Sequence, residues 1–128
     1  MKLLLDTHAA LWLVQGDARL SDRALTRIGG TNRDELFVSD MLLLELSMLI
    51  RKERIRVRSS TLDFVTRLAA RFELAPVNPA IAVRAMELPL PQGDPFDRVF
   101  VATALELEAE LVTRDAAITD SGLVPVVW

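Results

Sequence analysis

The chain has 128 residues, enough for one compact domain, and its hydrophobic content of 51% suffices for a buried core. No cysteine is present, which excludes disulfides, thiolate zinc sites and cysteine nucleophiles. The net charge of −3 at pH 7 argues against a broadly positive nucleic-acid surface. No apolar stretch has the length of an export signal or a membrane span. We therefore expect a cytoplasmic protein without a membrane partner, with residues 1–128 as a single domain.

Short apolar strands alternate with helices along the chain. In order, the predicted elements are a strand at 3–5, helices at 8–14 and 22–28, a strand at 36–38, helices from 40 to about 51 and from 60 to about 72, a weak strand at 74–77, helices at 80–88 and 94–108, and strands at 110–113 and 124–127. This alternation predicts an α/β fold, in which helices cover both faces of a parallel sheet. Ligands of such sheets bind beyond the carboxyl ends of the strands.

Two acidic residues follow predicted strands directly. Asp6 ends the first strand, and Asp115 follows the strand that ends at Thr113, whose hydroxyl lies next to it in sequence. Each acid also has a structural interpretation, Asp6 as a helix N-cap and Asp115 as a loop residue or the cap of a short turn. Both are nevertheless predicted at the ligand-binding edge of the sheet.

Glu45 lies in a helix with apolar residues on every side, so that helix should be largely buried. A buried carboxylate is costly unless it is paired or binds a metal. Glu45 could instead occupy a narrow polar stripe with Ser47, or pair with an arginine. We favour a role in a site.

Asp94-Pro95-Phe96-Asp97 is typical of a helix start, with Asp94 as the N-cap and Pro95 at the first helical position. That interpretation explains Asp97 less well, because its side chain is short for the reciprocal capping contact that Glu or Gln makes. We therefore assign Asp97 to the site, and leave Asp94 open between cap and site.

Together, Asp6, Glu45, Asp97 and Asp115 form a stronger signal than any one of them. Four converging acids would repel one another unless cations neutralise them, and magnesium or manganese prefers such oxygen ligands. We assign Asp6, Asp97 and Asp115 as metal ligands, with Asp6 and Asp97 as the best direct ones. Glu45 and Asp115 could also act through water or orient a nucleophile.

Other candidate residues have both a structural and a functional interpretation. Five cations fall within eight residues at 51–58, either as a solvated helix end or as a phosphate-binding edge. The RNA contacts that we assign there are Arg51, Lys52 and Arg54. His8 is interpreted as structural rather than as a general base. Trp12 and Trp128 are interpreted as core or interface residues rather than as platforms for nucleobases.

Four segments stand in this order along nearly the whole chain: Leu4-Leu5-Asp6-Thr7-His8-Ala9-Ala10-Leu11-Trp12, Val38-Ser39 with Glu45 six residues on, Asp94-Pro95-Phe96-Asp97-Arg98 with Ala102-Thr103-Ala104, and Leu111-Val112-Thr113-Arg114-Asp115. They resemble the PIN-domain family, and specifically the VapC-type toxins of toxin–antitoxin pairs. The Asp-Pro-Phe-Asp-Arg block is the most specific of these segments.

The resemblance implies a three-layer α/β/α fold with a short, mainly parallel central sheet, and a ribonuclease dependent on Mg²⁺ or Mn²⁺. It places the acidic site on the same four residues, with Asp94, Thr113 and Ser39 as neighbours. It also implies an RNA substrate, a small antitoxin partner and a homodimer. One departure is visible, because relatives often carry a histidine shortly before the Asp-Pro-Phe-Asp block, where this chain has Pro91-Gln92-Gly93.

Two other classes of protein are alternatives to the ribonuclease. Aspartyl-phosphate enzymes fit poorly, because a phosphatase of that kind would have a carboxylate where His8 stands, and a receiver domain would have a lysine after a late strand. A non-catalytic module, whose acids only attract a basic partner, remains the alternative.

Overall fold

The computed structural model describes residues 1–91 and 93–128 and contains a five-stranded, entirely parallel sheet. The strands are β1 (Leu3–Leu5), β2 (Leu36–Ser39), β3 (Glu73–Ala75), β4 (Glu110–Val112) and β5 (Val126–Val127). The helices are α1 (Thr7–Gln15), α2 (Asp22–Gly29), α3 (Met41–Arg51), α4 (Thr61–Ala69), α5 (Pro79–Glu87), α6 (Pro95–Leu107) and α7 (Ala116–Ser121), and Arg33–Glu35 forms a 3-10 turn. All three residues of β1 have no exposed surface, so both faces of the central strand are covered. The predicted α/β/α fold is confirmed.

The strand order is β3-β2-β1-β4-β5. After β1 the chain adds β2 and β3 on one side of that strand, and then β4 and β5 on the other side. In β1, Leu4 therefore pairs with Phe37 of β2 on one side and with Leu111 of β4 on the other. The order therefore reverses beside β1, which is where parallel sheets bind ligands. Asp6 and Thr113 directly follow the two strands that meet there.

Most predicted elements are present, with shifted ends. The helix expected to reach residue 72 ends at Ala69, and the strand expected at 124–127 contains only Val126–Val127. The side chain of Asn78 caps α5, where it accepts the backbone N–H of Ile81. Helix α7 was not predicted as a helix. Of the departure at Pro91-Gln92-Gly93, Gln92 lies outside the described residues.

No helix in the described ranges combines the length and hydrophobicity needed to cross a bilayer.

Candidate functional site

Three acids at the carboxyl edge of the sheet are helix N-caps. Their Oδ1 atoms accept backbone N–H bonds, Asp6 from Ala9 at 2.8 Å, Asp94 from Phe96 at 2.9 Å and Asp115 from Ile118 at 2.8 Å. The capping interpretations made from the sequence are thus correct for all three. Each bond uses one carboxylate oxygen, so capping fixes the position of each carboxylate without occupying the whole group.

Glu45 lies on α3 with only 7% of its surface exposed. Its carboxylate accepts a hydrogen bond from the hydroxyl of Thr7, which is itself buried. Among the described residues no arginine pairs with Glu45, so the arginine alternative is wrong. Ser47 is turned to the backbone of its own helix, where it donates to the Leu43 carbonyl at 2.7 Å.

Asp97 lies in the first turn of α6 and is partly buried. Its side chain accepts no hydrogen bond from any residue that the structure describes. Its neighbour Asp94 performs the capping instead. Asp97 therefore has no structural partner to explain its place, unlike the three capping acids.

These acids line one open pocket of about 270 Å³. The lining residues are Asp6, Thr7, His8, Trp12, Glu45, Asp94, Asp97, Arg114, Asp115 and Trp128. The structure thus brings the four predicted site acids together with Asp94. Thr113 is buried beside them and accepts a bond from the Asp115 backbone N–H at 3.1 Å.

Burial and mutual repulsion raise the pKa values of three of these acids. Burial raises the pKa of Asp6. The hydrogen bonds from the Thr113 hydroxyl and the Ala9 N–H, and the charge of His8, lower this pKa but do not cancel the effect of burial. Burial also raises the pKa of Glu45 to about 7, a shift that the Thr7 hydrogen bond opposes and that Asp94 and Asp6 reinforce. Without a cation, the pocket therefore disfavours the charged forms of these acids.

Asp97 shows the electrostatic coupling most fully. Burial, and then the charges of Asp94, Asp115, Asp6 and Glu45, raise its pKa to about 7. Every other acid of the pocket thus acts on this carboxylate in the same direction. A bound cation would reverse that effect and favour the charged form.

The donor chemistry of the pocket suits magnesium or manganese. The acidic side chains of the pocket offer only carboxylate oxygens as ligand atoms. Magnesium commonly binds one or two carboxylates together with waters and substrate phosphate. Within 1–91 and 93–128, no group of three or more histidine or acidic side chains forms a ready-made metal cage. A set of one or two direct ligands, with the other acids acting through water, fits this arrangement better than three direct ligands.

Besides Thr113, which lies behind the acids, four residues proposed from the sequence do not line this pocket. Ser39 is buried at the end of β2, where its Oγ accepts the Met41 backbone N–H at 3.2 Å. Arg51, Lys52 and Arg54 are exposed at and beyond the end of α3. Arg51 is six residues past Glu45, or about 9 Å along the axis of α3. Their contact with RNA stays a prediction.

Five pocket residues were not assigned to the site from the sequence: Thr7, His8, Trp12, Arg114 and Trp128. Thr7 and Arg114 adjoin predicted site acids, and Trp128 directly follows the last strand. A parallel sheet puts the residue after each strand at the same edge, so that rule could have located Trp128. Trp128 packs partly buried against the hydrophobic core, as predicted, and it also lines the pocket.

Known proteins resemble this chain over most of its length. The PIN domain family matches residues 3–121. Ribonuclease VapC22 of Mycobacterium tuberculosis is 37% identical over 114 residues, which cover 88% of this chain and 86% of that protein.

Solved structures agree in fold. The crystal structure of VapC20 of Mycobacterium tuberculosis, described as a Sarcin-Ricin loop cleaving toxin, has a TM-score of 0.69 at 20% identity and covers 99% of this chain and 100% of its own. A toxin–antitoxin complex from Klebsiella pneumoniae has a TM-score of 0.66 at 18% identity, with 96% and 95% covered. At these identities the two structures show a shared fold.

Proposed function

Since the chain belongs to the PIN-domain family, we propose that it is a metal-dependent endoribonuclease and the toxin of a toxin–antitoxin pair. The observation that carries the proposal is Asp97, an acid of the pocket without a structural partner whose pKa is raised by burial and by four surrounding carboxylates. The identity to Ribonuclease VapC22 supports RNA as the substrate. The absence of cysteine suits a reducing cytoplasm, where such an enzyme would meet its RNA.

The proposed reaction is hydrolysis of an RNA phosphodiester bond. Asp6 and Asp97 would hold a Mg²⁺ or Mn²⁺ ion, and Asp115, fixed by its cap, would ligate it directly or through water. Such an ion would supply Lewis-acid chemistry, activating the attacking water and stabilising the charge on the leaving oxygen of the broken P–O bond. Glu45, held by Thr7, orients the attacking water and accepts its proton.

The test compares cleavage of total cellular RNA by the wild type, Asp97→Asn and Asp22→Asn, with Mn²⁺ and with a chelator. Asp22 is a matched control, because it lies in the first turn of α2, is exposed and is outside the pocket. We expect metal-dependent cleavage by the wild type and Asp22→Asn only. A non-catalytic module predicts no cleavage by any of the three, and equal cleavage by all three would reveal a contaminating nuclease.

The same family membership supports an antitoxin partner, and the Klebsiella pneumoniae neighbour is itself a toxin–antitoxin complex. We propose that the antitoxin blocks the acidic pocket, for which an arginine is suited because a guanidinium binds carboxylates bidentately. Co-purification with the product of the neighbouring gene should abolish cleavage. Light scattering of the purified chain tests the proposed homodimer.

A further inference from the structure

One wall of the acidic pocket is aromatic and cationic. It consists of His8, Trp12, Arg114 and Trp128, which we call the aromatic wall. The Trp12 ring is its centre, with the Arg114 Cζ atom 4.7 Å from the ring centroid. The His8 and Trp128 rings lie 5.5 and 5.9 Å away, tilted by 53° and 58°. These distances are typical of favourable ring–ring and cation–π contacts.

Arg114 differs from the other arginine that contacts Trp12. The Arg19 Cζ atom lies 5.0 Å from the Trp12 ring, and its guanidinium is paired with Asp17 at 2.8 Å. Arg114 is exposed and, in the described part of the chain, forms neither an ion pair nor a side-chain hydrogen bond. Its stacking on Trp12 thus leaves all its N–H donors available beside a pocket of carboxylates.

An anionic substrate needs such a group here. The five acids of the pocket repel phosphate, and the whole chain has a net charge of −3. Arg114 is the only arginine or lysine among the described residues that line the pocket. A planar guanidinium can bind a phosphate with two parallel hydrogen bonds, whereas the acids can bind phosphate only through metal ions.

The three rings of the aromatic wall differ in exposure: Trp12 is buried, whereas Trp128 and His8 have surface that a ligand in the pocket can contact. Trp12 is only 3% exposed, because its neighbours cover it, so it has little surface left for a ligand. Trp128 is partly buried and His8 is exposed, and both line the pocket. An aromatic ring at a nucleic-acid site can stack on any base, because every base has a π-face.

We propose that the aromatic wall binds the nucleotide next to the scissile phosphate of single-stranded RNA, with Arg114 on its phosphate and Trp128 stacked on its base. This inference rests on the proposed ribonuclease function. Trp12 acts as a positioning residue, since it holds both contact groups. A single strand is required, because the base must be unstacked to meet a ring.

The test measures RNA binding without cleavage, in the full chain carrying Asp97→Asn. The probe is a fluorescent, random-sequence, single-stranded RNA of about ten nucleotides, within the usual site size for such strands. A second probe of equal length lacks all bases. The variants are Arg114→Gln, Arg114→Lys, Trp128→Ala and Trp128→Phe. Arg23→Gln is the matched control, because Arg23 is exposed on α2 and its loss changes the net charge equally.

We expect Arg114→Gln to weaken binding of both probes about tenfold, and to reduce the slope of log Kd against log salt by about 0.7, the effect of one phosphate contact on a single strand. Arg114→Lys should restore the slope. Trp128→Ala should weaken binding of the normal probe about tenfold but leave the probe without bases unchanged. Trp128→Phe should retain most binding, and Arg23→Gln should bind like the parent chain.

Three results would overturn the inference. Equal Kd values and salt slopes in Arg114→Gln and the parent chain would do so, as would an effect of Arg23→Gln as large as that of Arg114→Gln. Unchanged RNA binding with weakened antitoxin binding would make the wall a protein-binding surface instead. Cleavage by the wild type is measured on the same RNA. If that cleavage is present while the variants bind normally, only this inference fails, whereas no cleavage and no binding by the wild type removes the proposed function too.

Discussion

The hydroxyl of Thr7 donates a hydrogen bond to the carboxylate of Glu45, although 38 positions separate the two residues in sequence. Thr7 opens α1 at the end of the central strand, and Glu45 lies one turn into α3. Both are buried, so neither has much water to replace this partner. The bond stabilises the charged carboxylate against its burial and fixes its direction in the pocket.

Replacing Thr7 by valine should therefore raise the pKa of Glu45 further above about 7. We expect RNA cleavage to fall about tenfold near neutral pH and to recover partly at higher pH, where Glu45 ionises again. Thr7→Ser keeps the hydroxyl and should retain the wild-type profile. The measurement is the cleavage rate against pH, and a Thr7→Val profile parallel to that of the wild type would contradict the assigned role.

The stability of the metal-free protein should fall as the pH rises toward neutrality. The pKa values of Glu45 and Asp97 are raised from 4.5 and 3.8 to about 7, so the folded state binds protons more tightly than the unfolded state. Their favourable contribution is present below the ordinary pKa values and is lost as the pH rises through about 7.

This pH effect can be measured as the melting temperature in a chelator at about pH 5.5 and about pH 8.5. We expect a smaller decrease between these pH values in the double variant Glu45→Gln/Asp97→Asn than in the wild type. Manganese should raise the melting temperature of the wild type more at the higher pH, because the ion binds the deprotonated acids. An equal decrease in both proteins would show that these two groups do not control the effect.

Asp97→Asn should change function and stability in opposite directions. The substitution removes a carboxylate that four others repel and that has no hydrogen-bond partner in the described residues, so the metal-free fold should become more stable. Cleavage should fall at least about a hundredfold, because a metal ligand is lost. Asp94→Asn keeps a good N-cap and should affect cleavage less. The melting temperature in a chelator tests the prediction on stability, and the cleavage rate tests the prediction on function. A lower melting temperature for Asp97→Asn than for the wild type would indicate a structural role for Asp97.

The sequence predicted what depends on local patterns. The apolar run before Asp6 indicated a buried strand. The apolar residues around Glu45 in sequence indicated a buried carboxylate, which is costly unless it has a partner or a role in a site. Helix α7 was missed because it has only six residues and one buried side chain, Ile118, which gives no periodic signal. The bond from Thr7 to Glu45 could not be predicted, because it depends on how α1 and α3 pack.

The wall of the pocket shows the same limit. The rule for parallel sheets places Trp128 at the carboxyl edge, but its position beside the acids depends on the pairing of β5 with β4, and strand order is not encoded in the local sequence. The cation–π contact of Arg114 with Trp12 likewise joins residues from opposite ends of the chain. Acids were easy to single out because buried charge is unusual, whereas arginine and tryptophan near a site have many ordinary structural roles.

Arg98 connects the start of α6 to the segment before it. Its guanidinium donates to the Leu88 carbonyl at 2.9 Å and to the Leu90 carbonyl at 3.5 Å. Since α6 carries Asp94 at its cap and Asp97 in its first turn, this contact should hold both acids in place. Arg98→Ala is expected to weaken manganese binding about tenfold and to accelerate amide exchange at Leu90, whose N–H bonds to the Leu88 carbonyl.

Arg84→Ala is the control for Arg98→Ala, because Arg84 forms only an exposed ion pair with Glu106. Loss of that pair should lower the free energy of unfolding by less than about 1 kcal/mol. Calorimetric titration with manganese and hydrogen exchange in both variants separate a local effect on the site from general loosening of α5 and α6. If both variants bind manganese equally well, Arg98 has no positioning role. If only Arg98→Ala binds it more weakly, the two carbonyl contacts determine where the acids of α6 stand.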